Sequence, residues 1–191
     1  MRKKVLLFFV LLLTALVVYF SSASTVTGNL DAYVYELPFK PGTTHKVVQG
    51  YGGRFSHNHK AALDFDLPEG TGIYAAREGT VYSFREDSEK GGIFSANNDA
   101  NYIIIRHHDG SFGCYWHLQK NGVVVKKGSV AKGQLIGYSG RTGFALQPHL
   151  HFAVKRRLNY NKDSFVRTKF RTAKGILLLE KGRKYENPAL P

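Results

Sequence analysis

Cysteine is almost absent from this chain of 191 residues, and that scarcity excludes one class of fold. Cys114 stands alone, so no disulfide can form within the chain, and a domain held together by disulfides is ruled out. Cys114 lies in an apolar run just before Tyr115-Trp116-His117. Because an apolar setting disfavours the thiolate that a nucleophile needs, we expect Cys114 to be a small core residue.

A sustained helical repeat of apolar residues is also missing from the chain after residue 24. Short runs of β-branched and aromatic residues alternate instead with glycine-containing turns, and Asp109-Gly110 and Asn121-Gly122 are typical hairpin dipeptides. The candidate strands are 47–48, 62–65, 73–76, 80–84, 102–107, 112–117, 123–125, 135–138, 149–154, 165–170 and 176–179. Residues 86–101 have the least pattern and are interpreted as a long loop. The sequence therefore predicts an all-β domain of antiparallel sheets with hairpins.

One long apolar run is present, at the N-terminus. Arg2, Lys3 and Lys4 precede the uncharged residues 5–20, and small residues follow to position 24. This order is typical of a secretory signal, although sixteen apolar residues also approach the lower limit for a membrane span. We therefore expect a signal peptide or an N-terminal inner-membrane anchor at 1–24. A short linker at 25–45 and one folded domain at 46–191, exported to the periplasm or cell envelope, complete the predicted organisation.

Acidic residues are scarce, since 14 Asp and Glu stand against 27 Lys and Arg, for a formal net charge of +13. Eleven of the basic residues lie in 155–184, against only Asp163 and Glu180. This basic C-terminal segment either attracts a polyanionic surface or forms a solvated face. Outside the cytoplasm the polyanion would be a cell-wall polymer or anionic lipid, and no nucleic-acid partner is expected.

Two histidines, His149 and His151, are separated by one residue in a segment with the pattern of a strand. Alternate residues of a strand share a face, so the two imidazoles would project together while Leu150 and Phe152 pack on the other side. Three interpretations are open for such a pair. Both rings bind a metal, one ring binds a metal while the other transfers protons, or the two are ordinary surface histidines. Further histidines at 56–59 and 115–117 favour a functional site.

The order of these segments is specific. A histidine precedes the Asp-Phe strand at 64–65, Tyr-Trp-His-Leu follows at 115–118, and Pro-His-Leu-His-Phe stands at 148–152. From about residue 49 to 154 the chain resembles the lysostaphin-type zinc endopeptidases, which cut peptide bonds in bacterial cell walls. Weaker similarity continues to residue 185. The resemblance implies their β fold and a zinc metalloendopeptidase that hydrolyses peptidoglycan stem peptides or crosslinks.

The resemblance also implies a ligand set for one zinc ion, namely His57, Asp64 and His151. Two neutral nitrogens and a carboxylate, with an open fourth position, suit a catalytic zinc. The family usually places its aspartate nearer the first histidine, so His59 stays open as an alternative to His57. His57 is preferred because Tyr51 then falls where the family tends to have a tyrosine that helps hold the developing oxyanion. Asp64 is preferred to its same-face neighbour, Asp66, because it is the first acid of the strand.

The resemblance implies that His117 and His149 flank the metal without binding it. They would transfer protons and stabilise the tetrahedral intermediate, and which histidine does which is open. We expect the remaining histidines of the neighbouring segments, His59, His107 and His108, to be exposed or turn residues.

Two other functions fit parts of the pattern. A non-catalytic wall-binding or regulatory protein of the same fold would be expected to have lost ligands, whereas all five positions are filled here. A phosphocarrier of sugar uptake also uses paired histidines on a related β fold, but phosphoryl relay occurs in the cytoplasm and the N-terminal signal argues against it. The endopeptidase is therefore the preferred function.

Overall fold

The computed structural model describes residues 34–54, 56–159, 161 and 164–189, which form fourteen β-strands and one short 3₁₀ turn at Asn97–Asp99. The strands are β1 (Val34–Glu36), β2 (Thr44–Gln49), β3 (Ala62–Phe65), β4 (Gly72–Tyr74), β5 (Gly79–Arg85), β6 (Asn101–Arg106), β7 (Phe112–Val123), β8 (Ser129–Val130), β9 (Leu135–Ser139), β10 (Leu150–Lys155), β11 (Phe165–Val166), β12 (Lys169–Thr172), β13 (Gly175–Leu177) and β14 (Lys184–Glu186). None of the described residues forms a helix long and apolar enough to cross a membrane. The signal or anchor predicted at 1–24 lies outside the described residues.

Strand β10 lies near the middle of the main sheet. It pairs antiparallel with β3 on one side and with β7 on the other, in the order β14-β2-β3-β10-β7-β6-β5-β8. Strand β11 also pairs with β10, while β9 joins β4 to β7. A second sheet has the order β1-β12-β13, in which β1 and β12 are parallel. The predicted all-β class with mainly antiparallel sheets is confirmed.

Aromatic rings from the two sheets pack against each other behind β10. The Phe152 ring centre lies 5.8 Å from that of Phe170, 6.1 Å from Tyr35 and 5.0 Å from Tyr115. All four residues are fully buried. Such edge-to-face contacts stabilise the core by about 0.5–1.5 kcal/mol each beyond simple burial. Because Phe152 points into this core, its neighbour His151 projects from the opposite face of the strand, as the alternation predicts.

The segment 34–45, predicted to be part of a linker, belongs to the folded domain. Strand β1 pairs with β12, and Tyr35, Leu37 and Phe39 are fully buried. Three large apolar residues at alternate positions are a strand signal that the two prolines of this segment obscured. The linker prediction is therefore corrected for 34–45, and the rest of it lies outside the described residues.

The two predicted hairpin turns have different outcomes. Asp109-Gly110 joins the antiparallel strands β6 and β7, with Gly110 at a φ of 82°, which confirms that turn. The hairpin predicted at Asn121-Gly122 is wrong, because strand β7 continues through these two residues. Asn121 has a φ of 55°, and the pairing of β7 with β9 shifts register across this point, so the dipeptide forms an irregularity within a strand.

His107 is buried, which corrects the expectation of an exposed or turn residue. It is 2% exposed, and its Nδ1 donates a hydrogen bond of 2.7 Å to the carbonyl of Glu78. Its ring centre lies 5.4 Å from that of Tyr35 in β1, the strand that the sequence did not predict. Burial lowers the pKa of His107, so the folded protein favours the neutral ring.

A His107→Asn variant should lose less stability than the wild type when the pH falls from 7.5 to 5. An unfolded histidine binds a proton near pH 6.5, whereas folded His107 does so only at lower pH. The contribution of neutral His107 is therefore complete above pH 6.5 and is lost as the pH falls below it. Asparagine retains a donor for the Glu78 carbonyl and does not titrate. Urea-unfolding midpoints at both pH values test this, and equal pH dependence in the two proteins would contradict it.

Candidate metal centre

Two neighbouring strands, β3 and β10, and one loop bring together the residues proposed as metal ligands. His151 in β10 lies opposite Asp64 in β3 and opposite Trp116 in β7. His57 comes from the loop between β2 and β3, where its carbonyl accepts a hydrogen bond of 2.8 Å from the Lys60 N–H. The sheet register and this turn therefore place one carboxylate between two imidazoles.

The three candidate ligand atoms lie close to one another. Asp64 Oδ1 is 3.1 Å from His57 Nε2 and 2.9 Å from His151 Nδ1, and the two nitrogens are 3.1 Å apart. Ligands of a tetrahedral zinc at about 2.0–2.1 Å are separated by roughly 3.3 Å. The observed triangle is near the size that zinc requires, and the donor set is one that zinc favours.

The placement of protons provides a second test of this fit. His57 Nδ1 faces the Gly50 carbonyl at 3.1 Å, and a carbonyl only accepts, so a neutral His57 has its proton on Nδ1. Its Nε2 then directs a lone pair at the Asp64 carboxylate, which also has only lone pairs to offer. Two lone pairs facing each other at 3.1 Å require a proton or a cation between them. In a fully buried ring, a metal cation satisfies both acceptors without protonating the imidazole.

Electrostatics keep Asp64 ionised. Burial alone would raise its pKa, but a His151 or His57 ring that places a proton or a positive charge against the carboxylate outweighs burial and holds the pKa of Asp64 well below its usual range. A metal cation in the same place acts in the same direction. Burial in turn lowers the pKa of His151. An ionised carboxylate beside the His151 ring, whose lowered pKa favours the neutral form, is the protonation state that a metal requires of its ligands.

Gln49 is a site residue that the sequence analysis missed. Its Nε2 donates hydrogen bonds to Asp64 Oδ2 at 3.2 Å and to Ser56 Oγ at 2.7 Å. Gln49 ends β2 directly opposite Asp64 in β3, so it fixes the carboxylate oxygen that does not face His57. Only the pairing of β2 with β3 identifies it. Trp116 was missed too, and its ring centre lies 5.2 Å from that of His151.

His117 and His149 stand beside the ligand cluster. Their ring centres are 4.5 Å apart, and His149 Nε2 lies 3.9 Å from Asp64 Oδ1. Nδ1 of His117 donates to the Thr142 carbonyl at 2.6 Å, and Nδ1 of His149 donates to the Gln147 carbonyl at 2.8 Å. Burial lowers the pKa of His117 to about 3, and the neighbouring His149 and His151 act in the same direction. The Nε2 atoms are therefore the ring positions left to act on a substrate.

The backbone of His117 is strained. Its φ is 68°, a left-handed value that is uncommon for residues other than glycine and that recurs at functional sites. The His117 carbonyl accepts a hydrogen bond of 2.8 Å from the Gly140 N–H. A Cβ on Gly140 would come within 2.5 Å of the Gln119 backbone nitrogen, so only glycine permits this approach. The strain thus depends on a close contact between β7 and the end of β9.

The five histidine and aspartate side chains meet at a cavity of about 640 Å³, although His57 itself is covered by its neighbours. The lining is formed by Val48, Gln49, Ser56, Lys60, Asp64, Ala100, Trp116, His117, Phe144, Ala145, Leu146, Gln147, His149, His151, Lys155 and Phe165. Ala100 follows the 3₁₀ turn of the long loop predicted at 86–101, so this loop contributes to the wall.

Other candidate residues lie outside this cluster. His59 is exposed, and Asp66 is exposed beyond the end of β3. Tyr51 donates its hydroxyl to the Thr168 carbonyl at 2.9 Å and does not line the cavity, so these contacts do not support the predicted oxyanion role. Cys114 is fully buried, and burial raises the pKa of its thiol to about 12, in keeping with a core residue.

A His–Asp–His set with His57 and Asp64 buried and His151 half-buried, flanked by two histidines on an all-β scaffold, is typical of a metal-dependent hydrolase site. The chain belongs to peptidase family M23, whose model matches residues 57–164. It is 36% identical over 117 residues to the peptidoglycan DD-endopeptidase ShyA of Vibrio cholerae, covering 61% of this chain and 23% of that protein. The peptidoglycan DD-endopeptidase ShyC of the same organism is 40% identical over 115 residues, covering 60% and 23%.

The match thus spans less than a quarter of each Vibrio protein. The catalytic domain of lysostaphin from Staphylococcus simulans is 24% identical, with a TM-score of 0.46 over 72% of this chain and 90% of that one.

We predict that the purified protein binds about one zinc ion per chain and that His57→Ala loses most of it. His57 Nε2 lies within the ligand triangle, whereas His59 is exposed, so His59→Ala serves as the matched control and should retain the metal. Metal content measured by plasma mass spectrometry after gel filtration tests both variants. Loss of zinc from His59→Ala but not from His57→Ala would reverse the assignment.

Proposed function

We propose that this protein is an exported, zinc-dependent endopeptidase that hydrolyses peptide bonds in bacterial peptidoglycan. The observation on which the proposal rests is the convergence of His57, Asp64 and His151 beside a cavity. Asp64 and His151 line this cavity together with His117 and His149. Membership of peptidase family M23 supports the reaction class. The two Vibrio relatives are peptidoglycan DD-endopeptidases, which supports the substrate and a location in the cell envelope.

The metal would be held by His57 Nε2, Asp64 Oδ1 and His151 Nδ1. When bound, zinc supplies a Lewis acid that polarises a carbonyl group and lowers the pKa of water to about 7. Gln49 holds the other oxygen of Asp64, and the Gly50 carbonyl orients His57, so the donor atoms are positioned by the protein itself.

His117 and His149 are suited to proton transfer because of how their rings are held. Each has Nδ1–H bonded to a backbone carbonyl, so the lone pair of the neutral ring is on Nε2. An Nε2 lone pair can take a proton from the attacking water, and the same atom can return it to the leaving amine. A protonated Nε2 can also donate a hydrogen bond to the oxygen that gains negative charge. Two rings 4.5 Å apart can divide these tasks.

The experiment that tests the function is digestion of isolated, crosslinked peptidoglycan, followed by mass spectrometry of the released fragments. The wild type should convert crosslinked muropeptides to monomers, and a chelator should abolish the conversion until zinc is restored. Absence of cleavage by the zinc-loaded wild type would contradict the proposed function.

In the same assay, His117→Ala and His149→Ala should each lose at least about 100-fold in rate while retaining zinc, since proton transfer is typically worth this much. His108→Ala removes an exposed histidine outside the cavity and is the matched control. Loss of zinc from either variant would make that residue a ligand and contradict the role proposed for it.

We further propose that the basic C-terminal segment binds polyanions of the cell envelope. Arg156, Arg157, Arg167 and Lys174 are exposed, whereas Arg171 is paired with Glu36 at 3.2 Å. None of these residues lines the cavity, so their effect would be on adhesion and not on bond cleavage. The charge of an exposed, basic face raises the local concentration of a polyanion and is screened by salt.

Replacing Arg156, Arg157 and Lys174 together by Gln should reduce binding to intact cell walls at low salt, with little change in hydrolysis of a short soluble crosslink. Co-sedimentation with walls at about 0.02 and 0.15 M salt measures the binding. Replacing Lys40, Arg106 and Lys127, which are exposed elsewhere, removes the same charge and is the control. Equal salt dependence in the wild type and the first variant would show that the segment is only a solvated face.

A further inference from the structure

The two ends of the cavity have different chemistry. His151, Ala153 and Lys155 occupy alternate positions of β10, so they share the face that borders the cavity at His151 and Lys155. Lys155 ends β10, whereas the loop before the start of β10 contributes Phe144, Ala145, Leu146 and the polar Gln147 to the lining, and the 86–101 loop contributes Ala100. From this chain order we infer that the mainly apolar residues line the end of the cavity away from Lys155. The catalytic histidines thus lie between a basic end and an apolar end.

Lys155 is fixed at the basic end. It is 7% exposed, and its Nζ donates a hydrogen bond to the Asn159 carbonyl and lies 4.6 Å from the centre of the Phe165 ring. Phe165 lines the same cavity and pairs with Lys155 across β10 and β11. Burial lowers the pKa of Lys155, and the positive charge of nearby Lys60 acts in the same direction. A cation held in place in surroundings of low polarity attracts an anion more strongly than a solvated one.

Lys60 brings a second positive charge to this end. Its N–H donates a hydrogen bond of 2.8 Å to the His57 carbonyl, and its own carbonyl accepts one of 3.0 Å from the Gly52 N–H. These two bonds fix the backbone of Lys60 in the loop between β2 and β3 that contains His57. Among the described residues that line the cavity, Asp64 has the one carboxylate, and its Oδ1 already contacts ring nitrogens of His57 and His151. The described lining of this end is therefore positively charged.

We propose that Lys60 and Lys155 bind a free carboxylate of the substrate peptide, while the apolar end receives small uncharged groups on the other side of the scissile bond. The inference rests on the proposed function and specifies which peptides the site prefers. Four positions of β10 separate His151 from Lys155, which is about 13 Å along the strand. An extended peptide covers this distance in about four residues, so the recognised carboxylate lies within about four residues of the bond that is cut.

A matched pair of substrates tests the proposal, namely a crosslinked muropeptide dimer with free carboxylates and the same dimer after their conversion to carboxamides. The wild type should prefer the acid form by about 10- to 100-fold in kcat/KM, the value of a charge-assisted hydrogen bond. In a Lys60→Met, Lys155→Met double variant this ratio should fall towards 1, chiefly through a higher KM for the acid form. Methionine retains an unbranched apolar stem, and Lys127→Met, at an exposed site outside the cavity, should leave the ratio unchanged.

Zinc content and melting temperature show whether the double variant is folded, and Lys155→Arg, which retains the charge, should keep at least part of the preference. An equal loss of activity on both substrates would give the lysines a structural role only and overturn the proposal.

If the wild type cleaves neither dimer, the proposed function fails. The carboxylate site is then tested by calorimetric measurement of the affinities for the same two dimers. Equal affinities would overturn it, whereas tighter binding of the acid form that is lost in the double variant would support it.

Discussion

The register of β10 between β3 and β7 is the constraint on which the rest of the site depends. It places His151 opposite Asp64 on one side and Trp116 on the other, and it directs Phe152 into the aromatic core. A shift by one residue would turn His151 into the core and Phe152 towards the cavity, because side chains alternate across a strand. The buried ring contacts behind β10 therefore stabilise the arrangement of the candidate ligands as well as the fold.

Backbone strain at His117 depends on the same packing. A left-handed residue within a strand is unfavourable by about 1–3 kcal/mol and persists only where its surroundings determine it. Here Gly140 approaches the neighbouring backbone closely enough to donate a hydrogen bond to the His117 carbonyl, and Thr142 accepts one from its ring. The turn after β9 thus fixes both the main chain and the imidazole of one proton-transfer candidate.

Local pattern was enough to predict most strands, the face shared by His149 and His151, and the burial of Cys114. The ligand set required the resemblance to a family, because no local pattern relates His57 to residues so far along the chain. Features set by tertiary packing were missed. Gln49 reaches Asp64 only through the pairing of β2 with β3, and the hydroxyl of Tyr51 is bound by a residue 117 positions away.

Three histidines of the site share one feature, a contact between Nδ1 of the ring and a backbone carbonyl. His57, His117 and His149 each direct Nδ1 at a carbonyl, from Gly50, Thr142 and Gln147 respectively. Ring orientation therefore depends on the main-chain path of the segments that adjoin the strands, because all three carbonyls lie just outside them. The side chains at the two ends of the cavity take no part in that orientation. Their chemistry can differ without disturbing the centre, so the same arrangement of candidate metal ligands and candidate proton-transfer residues is compatible with cavities of different lining.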